Sequence, residues 1–311
     1  MNHYYIKSKR YFTKIQIQME NQIEELCNIC GGKYIINEPI GRGKFGYVYR
    51  GIRKKTGEPV AIKVESSQNS MKILKHEATV LHFLQTNGCI GVPIIHWFGN
   101  TDTKICMVMT LYESSLYDIV KERGIKPEML YSVYGSLIDI TESIHSKFVI
   151  HRDIKPHNFM YKGGQLFLID FGMANFYVKG ENQHIEPEIE QNMNIIGTPN
   201  YISPNIHRGI TPSRRDDLIS LGYVFLFLLK GSLPWENLKP VMEDLPEIHI
   251  RHSRNLLRLE KKTLENLQQI LPENHDCLYQ YFKYVYRIAF HETPYYSVIR
   301  NIFCSKQYKI I

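Results

Sequence analysis

Apolar and polar positions recur at two different periods along this chain, and the change between them divides it. From Lys33 the period is two: Tyr34-Ile35-Ile36 leads into Ile40 to Tyr49, and Val60-Ala61-Ile62-Lys63-Val64 follows after a turn at Lys54 to Pro59. Ser70 to Thr86 reads as a helix, with Ile73, Glu77, Leu81 and Leu84 on one face at spacings of four, four and three. Two further strands are expected around Gly91 to Trp97 and Lys104 to Thr110. After Ser115 to Ile119 the pattern turns helical, and Pro127 to Ser146 places Leu130, Tyr134, Leu137, Ile138, Ile140 and Ile144 on a broad apolar face. A strand at Gln165 to Ile169 interrupts it. From Leu218 the reading is helical to the end, over Leu218 to Leu229, Leu256 to Leu271, Cys277 to Phe290 and Tyr295 to Cys304. Ahead of Lys33, Thr13 to Leu26 is only roughly periodic and reads as a short helix in an extension. There is no internal repeat and no low-complexity tract.

At 311 residues, 43% hydrophobic and 22% charged, the chain has ample core-forming material for one large two-lobed unit or two ordinary domains. The formal charge of +7 is moderate. It suits anionic ligands, acidic partners or plain solubility, and no recognised nucleic-acid module accompanies it. Cys27, Cys30, Cys89, Cys106, Cys277 and Cys304 are too sparse for a disulfide framework. Cys27 and Cys30 form a single Cys-x-x-Cys with no second pair, so ordinary thiols in a reducing compartment are the better reading than zinc. Met1 to Lys14 is basic and tyrosine-rich without the apolar core of a secretory signal. Leu218 to Leu229 covers about half to two-thirds of the ~20 residues a membrane span needs, and reads as a buried helix.

The densest chemistry lies in His151-Arg152-Asp153-Ile154-Lys155-Pro156-His157-Asn158, followed twelve positions after its Asn by Asp170-Phe171-Gly172. One loop can turn Asp153, Lys155 and Asn158 onto a small volume, and a hairpin can return Asp170 beside them. The set supplies a carboxylate to orient a hydroxyl nucleophile, an ammonium for a transferring phosphoryl group, and two oxygen ligands for Mg2+. Upstream, Gly41-Arg42-Gly43-Lys44-Phe45-Gly46 has strand-like sequence on both sides and no helix opening at its third glycine, which argues against a dinucleotide-binding turn. Glycines in a hairpin let backbone amides approach a triphosphate. Val48 and Ala61 would then offer apolar surface to a purine, and Lys63 would reach the α and β phosphates. Glu77, a carboxylate on an apolar helix face, wants a cation, and Lys63 is the natural one. Glu181, Glu186, Glu188 and Glu190 form an acidic run that reads either as a solvated loop or as a repellent for acidic substrates.

Together the Gly-rich strand, Val60-Ala61-Ile62-Lys63, the catalytic loop and Asp-Phe-Gly resemble the protein kinases over roughly residues 33 to 304, and casein kinase I most closely. The closer resemblance rests on Ser213-Arg214-Arg215-Asp216-Asp217-Leu218, Ser220-Leu221-Gly222-Tyr223-Val224 and Gly231-Ser232-Leu233-Pro234-Trp235. Ser203-Pro204-Asn205 adds to it: most kinases carry Ala-Pro-Glu there and this family Ser-Ile-Asn. Tyr295 to Arg300 looks like the family's last helix. The resemblance implies an α+β, two-lobed kinase fold with a small β-rich N-lobe holding one main helix (33–110) and a larger helical C-lobe (113–305). Residues 1–32 would be an extension and 306–311 a short tail, without the long tail through which other members are autoinhibited. It further implies a Ser/Thr protein kinase using ATP and Mg2+ on protein substrates, monomeric and intracellular, in cytoplasm and/or nucleus.

Carried over by position, Asp153 would be the catalytic base, Lys155 a phosphate contact, and Asn158 and Asp170 the Mg2+ ligands. Lys63 and Glu77 would form the ion pair, and Thr198 would sit near Asp153 and Lys155. Ile40, Gly41, Arg42, Gly43, Lys44, Phe45, Gly46, Tyr47 and Val48 would cover ATP. Ala61, Lys63, Met109 (the gatekeeper position) and Leu111 would complete the nucleotide site, and Asp217 would anchor the catalytic-loop backbone.

The departures from the family carry expectations of their own. His157 replaces an Asp that is no direct ligand, so activity should survive. Casein kinase I uses a basic pocket for substrates already phosphorylated upstream. Here Gly197-Thr198-Pro199-Asn200-Tyr201 stands for Gly-Thr-Ala-Arg-Tyr, Ala174-Asn175-Phe176-Tyr177 for Ala-Lys-Lys-Tyr, and Val241 to Glu247 for a basic stretch. Each lost cation removes charge-assisted hydrogen bonds worth roughly 1.5–3 kcal/mol, so weakened recognition of primed substrates is expected. A pseudokinase scaffold would lack Lys63, Asp153, Asn158 or Asp170, and all four are present. A small-molecule kinase fits Asp216-Asp217 and the helical second half less well. Between Asp170 and Ser203 there is no serine, and Thr198 is the one threonine, which leaves Tyr177 and Tyr201 as the hydroxyls for loop phosphorylation.

Overall fold

The computed structural model describes residues 32–42, 46–68, 71–101, 103–189, 195–238, 247–272 and 275–307. The expectations for Thr13 to Leu26, the Cys27/Cys30 pair, Gly43 to Phe45, Glu190 and Val241 to Pro246 lie outside the described residues. The chain divides into two compact units, Met1–His82 with Pro93–Tyr112, and Phe83–Val92 with Glu113–Ile311.

The first unit is built on five antiparallel strands, β1 (Tyr34–Arg42), β2 (Gly46–Arg53), β3 (Pro59–Ser66), β4 (Ile95–Asn100) and β5 (Lys104–Thr110), ordered β1-β2-β3-β5-β4. Helix α1 (Ile73–Thr86) follows β3. Successive side chains on a strand point to opposite faces. Tyr34, Ile36, Tyr49, Val60, Ile62, Val64, Cys106 and Val108 thereby gather as a core, with Trp97 packed against it. Ala61, Lys63 and Glu65 fall on the other face of β3, and it is there that α1 is bonded.

The second unit is mainly helical: α2 (Leu116–Arg123), α3 (Pro127–His145), α4 (Pro204–His207), α5 (Arg214–Lys230), α6 (Glu247–Lys261), α7 (Leu264–Ile270), α8 (Asp276–Val285) and α9 (Tyr296–Gln307). Short strands β6 (Ser114–Ser115), β7 (Val149–Ile150), β8 (Phe159–Lys162), β9 (Gln165–Leu168), β10 (Asn175–Phe176), β11 (Val178–Lys179) and β12 (Gln183–His184) carry the loops. Every residue of α5 from Asp216 to Leu228 is buried, which is why its sequence shows no amphipathic stripe. Around it Tyr134 of α3 stacks on Phe225 at 4.2 Å and donates to the Phe225 carbonyl, while Tyr281 of α8 donates to that of Leu218. Phe303 of α9 closes the cluster against Tyr134, Phe225 and Tyr281. No helix among the described residues is long and apolar enough to cross a membrane.

Several boundaries differ from expectation. α1 starts at Ile73 rather than Ser70, where the Glu65 carboxylate takes the Leu74 amide at 2.6 Å and fixes the first turn. The strand placed at Gly91 to Trp97 is Ile95–Asn100, since Pro93 has no N–H for a ladder and Gly91 turns the chain. The helix expected over Leu256 to Leu271 is two, α6 and α7, divided where Thr263 caps α7 through a bond from the Asn266 amide (3.3 Å). The helix expected to Phe290 stops at Val285, and the last one runs Tyr296–Gln307.

Candidate active site

In the first unit β1 and β2 pair antiparallel, Gly41 opposite Val48 and Arg42 opposite Tyr47, so the two described glycines of the motif, Gly41 and Gly46, lie on paired strands. Gly46 is required by close approach: a Cβ there would lie 1.9 Å from the Val64 carbonyl oxygen. Across β3, Val48 registers with Lys63, and Ala61 with Met109 of β5. Ala61 and Met109 are buried, Val48 and Leu111 half-buried, and Ile40, Gly41, Arg42 and Tyr47 exposed. Lys63 Nζ donates to Glu77 Oε2 at 2.6 Å, and Glu77 is 1% exposed. The pairing read from two periodicities is therefore made.

In the second unit the chain leaves β7 through His151 and Arg152, the latter at φ 67°. Asp217 of α5 fastens this turn: its Oδ2 accepts the His151 amide at 2.6 Å and its Oδ1 the Arg152 amide at 2.9 Å. His145 Nε2 adds a third contact at 3.0 Å, and Tyr296 OH lies 2.5 Å from the same ring's Nδ1. Burial alone would raise the pKa of Asp217, yet the hydrogen bonds and charge of His145 and the His151 contacts hold it below the ordinary carboxylate value.

Beyond that turn the predicted residues converge. Thr198 Oγ1 donates to Asp153 Oδ1 at 2.7 Å, and Lys155 Nζ donates to Asp153 Oδ2 at 2.6 Å and to Thr198 Oγ1 at 3.1 Å. Asn158 Nδ2 donates to the Asp153 carbonyl at 2.9 Å, which commits the nitrogen end of that amide and leaves its oxygen as a ligand. The hairpin β8–β9 pairs Phe159 with Leu168, and the Ile169 amide donates to the Asn158 carbonyl at 2.8 Å, so Asp170 arrives beside Asn158. Among the described residues no three or more His, Cys, Asp and Glu side chains gather to hold a metal. Two side-chain oxygens, from Asn158 and Asp170, fit a hard cation that keeps phosphate and water oxygens as its remaining ligands.

Residues 34–307 match the family described as Protein kinase domain. The chain belongs to the protein kinase family. The small antiparallel-sheet lobe and the helical lobe of that fold are the two units above. In this kinase domain the segment leading to Ser203 is held from several elements at once. Gly197 sits at φ 98°, where a Cβ would meet the Arg152 carbonyl at 2.6 Å, so Thr198 reaches Asp153 only behind a glycine. The amides of Tyr201 and Ile202 close a turn on the Thr198 carbonyl at 2.8 and 3.1 Å. Trp235 Nε1 donates to the Asn200 carbonyl at 2.7 Å and Arg258 Nε to its side chain at 2.9 Å. Lys262 Nζ donates to the carbonyls of Pro199 and Ile202. Ser203 and Asn205 both bond Asp216 Oδ1, at 2.5 and 3.0 Å, which is the physical use of a Ser-x-Asn in this place. Burial pushes the Asp216 carboxyl above its ordinary pKa.

The His157 ring is exposed and stacks on Tyr117 at 3.9 Å, its pKa lowered by burial of one face and then by the charge of Lys155. Of the acidic run, Glu181, Glu186 and Glu188 are exposed, and Glu186 meets His291 at 3.3 Å.

Proposed function

We propose that this chain is an ATP-dependent Ser/Thr protein kinase of the casein kinase I type, transferring the γ-phosphoryl of Mg-ATP to protein hydroxyls. The observation that carries the reading is the Asp153 carboxylate, which accepts a hydroxyl hydrogen from Thr198 at 2.7 Å with the Lys155 ammonium 2.6 Å from its other oxygen. A substrate Ser or Thr hydroxyl would be oriented by the same carboxylate as general base, with Lys155 beside it to meet phosphoryl charge. Lys63, held in place by Glu77, would contact the α and β phosphates. Ile40 to Val48, with Ala61, Met109 and Leu111, would enclose the nucleotide.

Membership of the family implies ATP and, with it, Mg2+. When bound, the metal supplies neutralisation of phosphate charge, and Asn158 and Asp170 are the residues that would hold it. The casein kinase I assignment is supported by the bonds of Ser203 and Asn205 to Asp216. Weakened recognition of primed substrates is supported at Asn200: the nearby Arg258 already directs Nε to Asn200 and Nη1 to Asn255. The kinase domain would run 33–305, as a monomer acting on proteins in cytoplasm and/or nucleus, a reducing setting that suits the thiol of Cys89.

The test is transfer from γ-32P-labelled ATP with Mg2+ to casein and to matched primed and unprimed peptides, beside Asp153→Asn. Transfer lost in the variant supports the kinase and its base. A primed peptide used tenfold better than its unprimed twin contradicts the pocket reading. Folded, ATP-binding protein without transfer would point to a scaffold instead.

A further inference from the structure

We propose that Lys262 is a positioning residue, whose buried ammonium sets the turn Thr198 to Ile202 and through it the Thr198 hydroxyl on Asp153. Lys262 is 1% exposed. Its three N–H donors match three acceptors: the Ile202 carbonyl at 2.8 Å, the Pro199 carbonyl at 3.0 Å and His207 Nε2 at 3.1 Å. The rings of Tyr223 and Trp235 lie 4.8 and 5.4 Å away, so the cation sits over aromatic faces. Among the described residues no carboxylate pairs with it. Burying an ammonium without a counter-charge is expensive. Leu or Met would fill the same space at less cost, so the carbonyls are what the charge serves. Burial, followed by the charge of Arg258, indeed pulls the Lys262 pKa well below its ordinary value.

The two carbonyls flank the turn. Ile202, whose carbonyl Lys262 holds, donates its own amide to the Thr198 carbonyl, and Thr198 donates to Asp153. Lys262 is thus linked to the proposed base through two residues. Trp235 and Arg258 grip Asn200 alone, whereas Lys262 spans both ends.

The inference rests on the kinase reading, and the experiment separates the two. Wild type, Lys262→Met, Thr198→Ala and the double variant are compared for peptide kcat/KM, ATP KM and backbone amide exchange. Lys262→Met is expected to lower peptide kcat/KM tenfold or more, leave ATP KM within twofold, and speed exchange at Tyr201 and Ile202 at least tenfold. In the Thr198→Ala background the same substitution should lose less than threefold, because its route to Asp153 is already cut. A tenfold loss that persists there, or an equal rise in ATP KM, overturns the proposal. If Lys262→Met gives no cooperative melt, His207→Leu at a half-buried site takes its place. It removes one acceptor, and should lower peptide kcat/KM about threefold in wild type and not in Thr198→Ala; no loss in wild type overturns the idea. Should wild type transfer nothing, the kinase reading fails, and unchanged amide exchange in the variant would independently overturn the positioning role.

Discussion

In Asp217→Asn the side chain keeps its shape but loses its charge and one acceptor atom. The wild-type carboxylate takes three hydrogen bonds, from the His151 amide (2.6 Å), the Arg152 amide (2.9 Å) and His145 Nε2 (3.0 Å). The amide oxygen of Asn can go on serving Arg152, but an NH2 then faces His151 and His145. His145 can adapt, because Tyr296 OH at its Nδ1 either donates or accepts, so the ring can change tautomer and accept at Nε2. The His151 amide cannot adapt; flipping the Asn only transfers the fault to Arg152. His151 is fully buried, so the loss is one charge-assisted bond, about 1.5–3 kcal/mol, plus a stranded donor at about 1–3 kcal/mol. Together these take about 2.5–6 kcal/mol from the second unit. A 1 Å displacement of the loop can cost about 10²-fold in rate, so kcat should fall by about that factor with ATP KM nearly unchanged.

The assay uses the two tryptophans, Trp97 in one unit and Trp235 in the other. In a Trp97→Phe background, denaturant unfolding read by Trp235 fluorescence reports the second unit. A loss under 1 kcal/mol, or kcat within threefold of wild type, would refute the argument that the loop hangs on Asp217. The pH dependence adds a sign. A carboxylate with a depressed folded pKa contributes stability above its unfolded value, and loses it as pH falls through the folded one. The gap between wild type and Asp217→Asn should therefore stay constant from pH 8 to about 5 and shrink only below about 4. A gap that shrinks between pH 7 and 5 would assign the effect to another group.

Lys63→Met removes the cation 2.6 Å from the buried Glu77, and should cost the first unit about 3 kcal/mol by Trp97 fluorescence in a Trp235→Phe background. Lys63→Met/Glu77→Leu should recover more than half of that, and no recovery would mean the pair is not the source. Gly197→Ala must place a Cβ 2.6 Å from the Arg152 carbonyl at φ 98°, so it should destabilise by more than about 1 kcal/mol and lower kcat tenfold; unchanged kcat would show that the turn relaxes freely. Asp216 runs opposite to its neighbour: its folded pKa is raised, so its contribution is full below the unfolded value and lost as pH rises through the folded one. Wild type should lose stability relative to Asp216→Asn as pH rises above about 4, and a relative gain on that rise in denaturant titrations would contradict the assignment.

What could be read ahead of the structure follows from how far apart the partners lie and whether they carry a pattern. Asp153, Lys155 and Asn158 span six positions of one loop, so their spacing alone brings them together, and the period of β3 and of α1 is enough to turn Lys63 and Glu77 toward each other. Thr198 and Asp217 were placed only through the family resemblance, since nothing local says which loop a Thr or an Asp will touch. The start of α1 was misplaced because an amide of its first turn, that of Leu74, is taken by Glu65 of β3, a cap that no local motif announces. Arg258 and Lys262 were missed altogether. A lysine after Glu260-Lys261 at a helix end has the pattern of a solvated charge, and its acceptors are backbone carbonyls some sixty residues away. Backbone carbonyls leave no trace in a sequence, because every residue has one. Side chains that act on other side chains nearby can therefore be paired by residue type and spacing, whereas those that act on the backbone need a family resemblance, as for Asp217, or the folded chain, as for Lys262. In this kinase domain the second kind, Asp217 on His151 and Arg152 and Lys262 on Pro199 and Ile202, hold the two turns whose meeting puts Thr198 on Asp153.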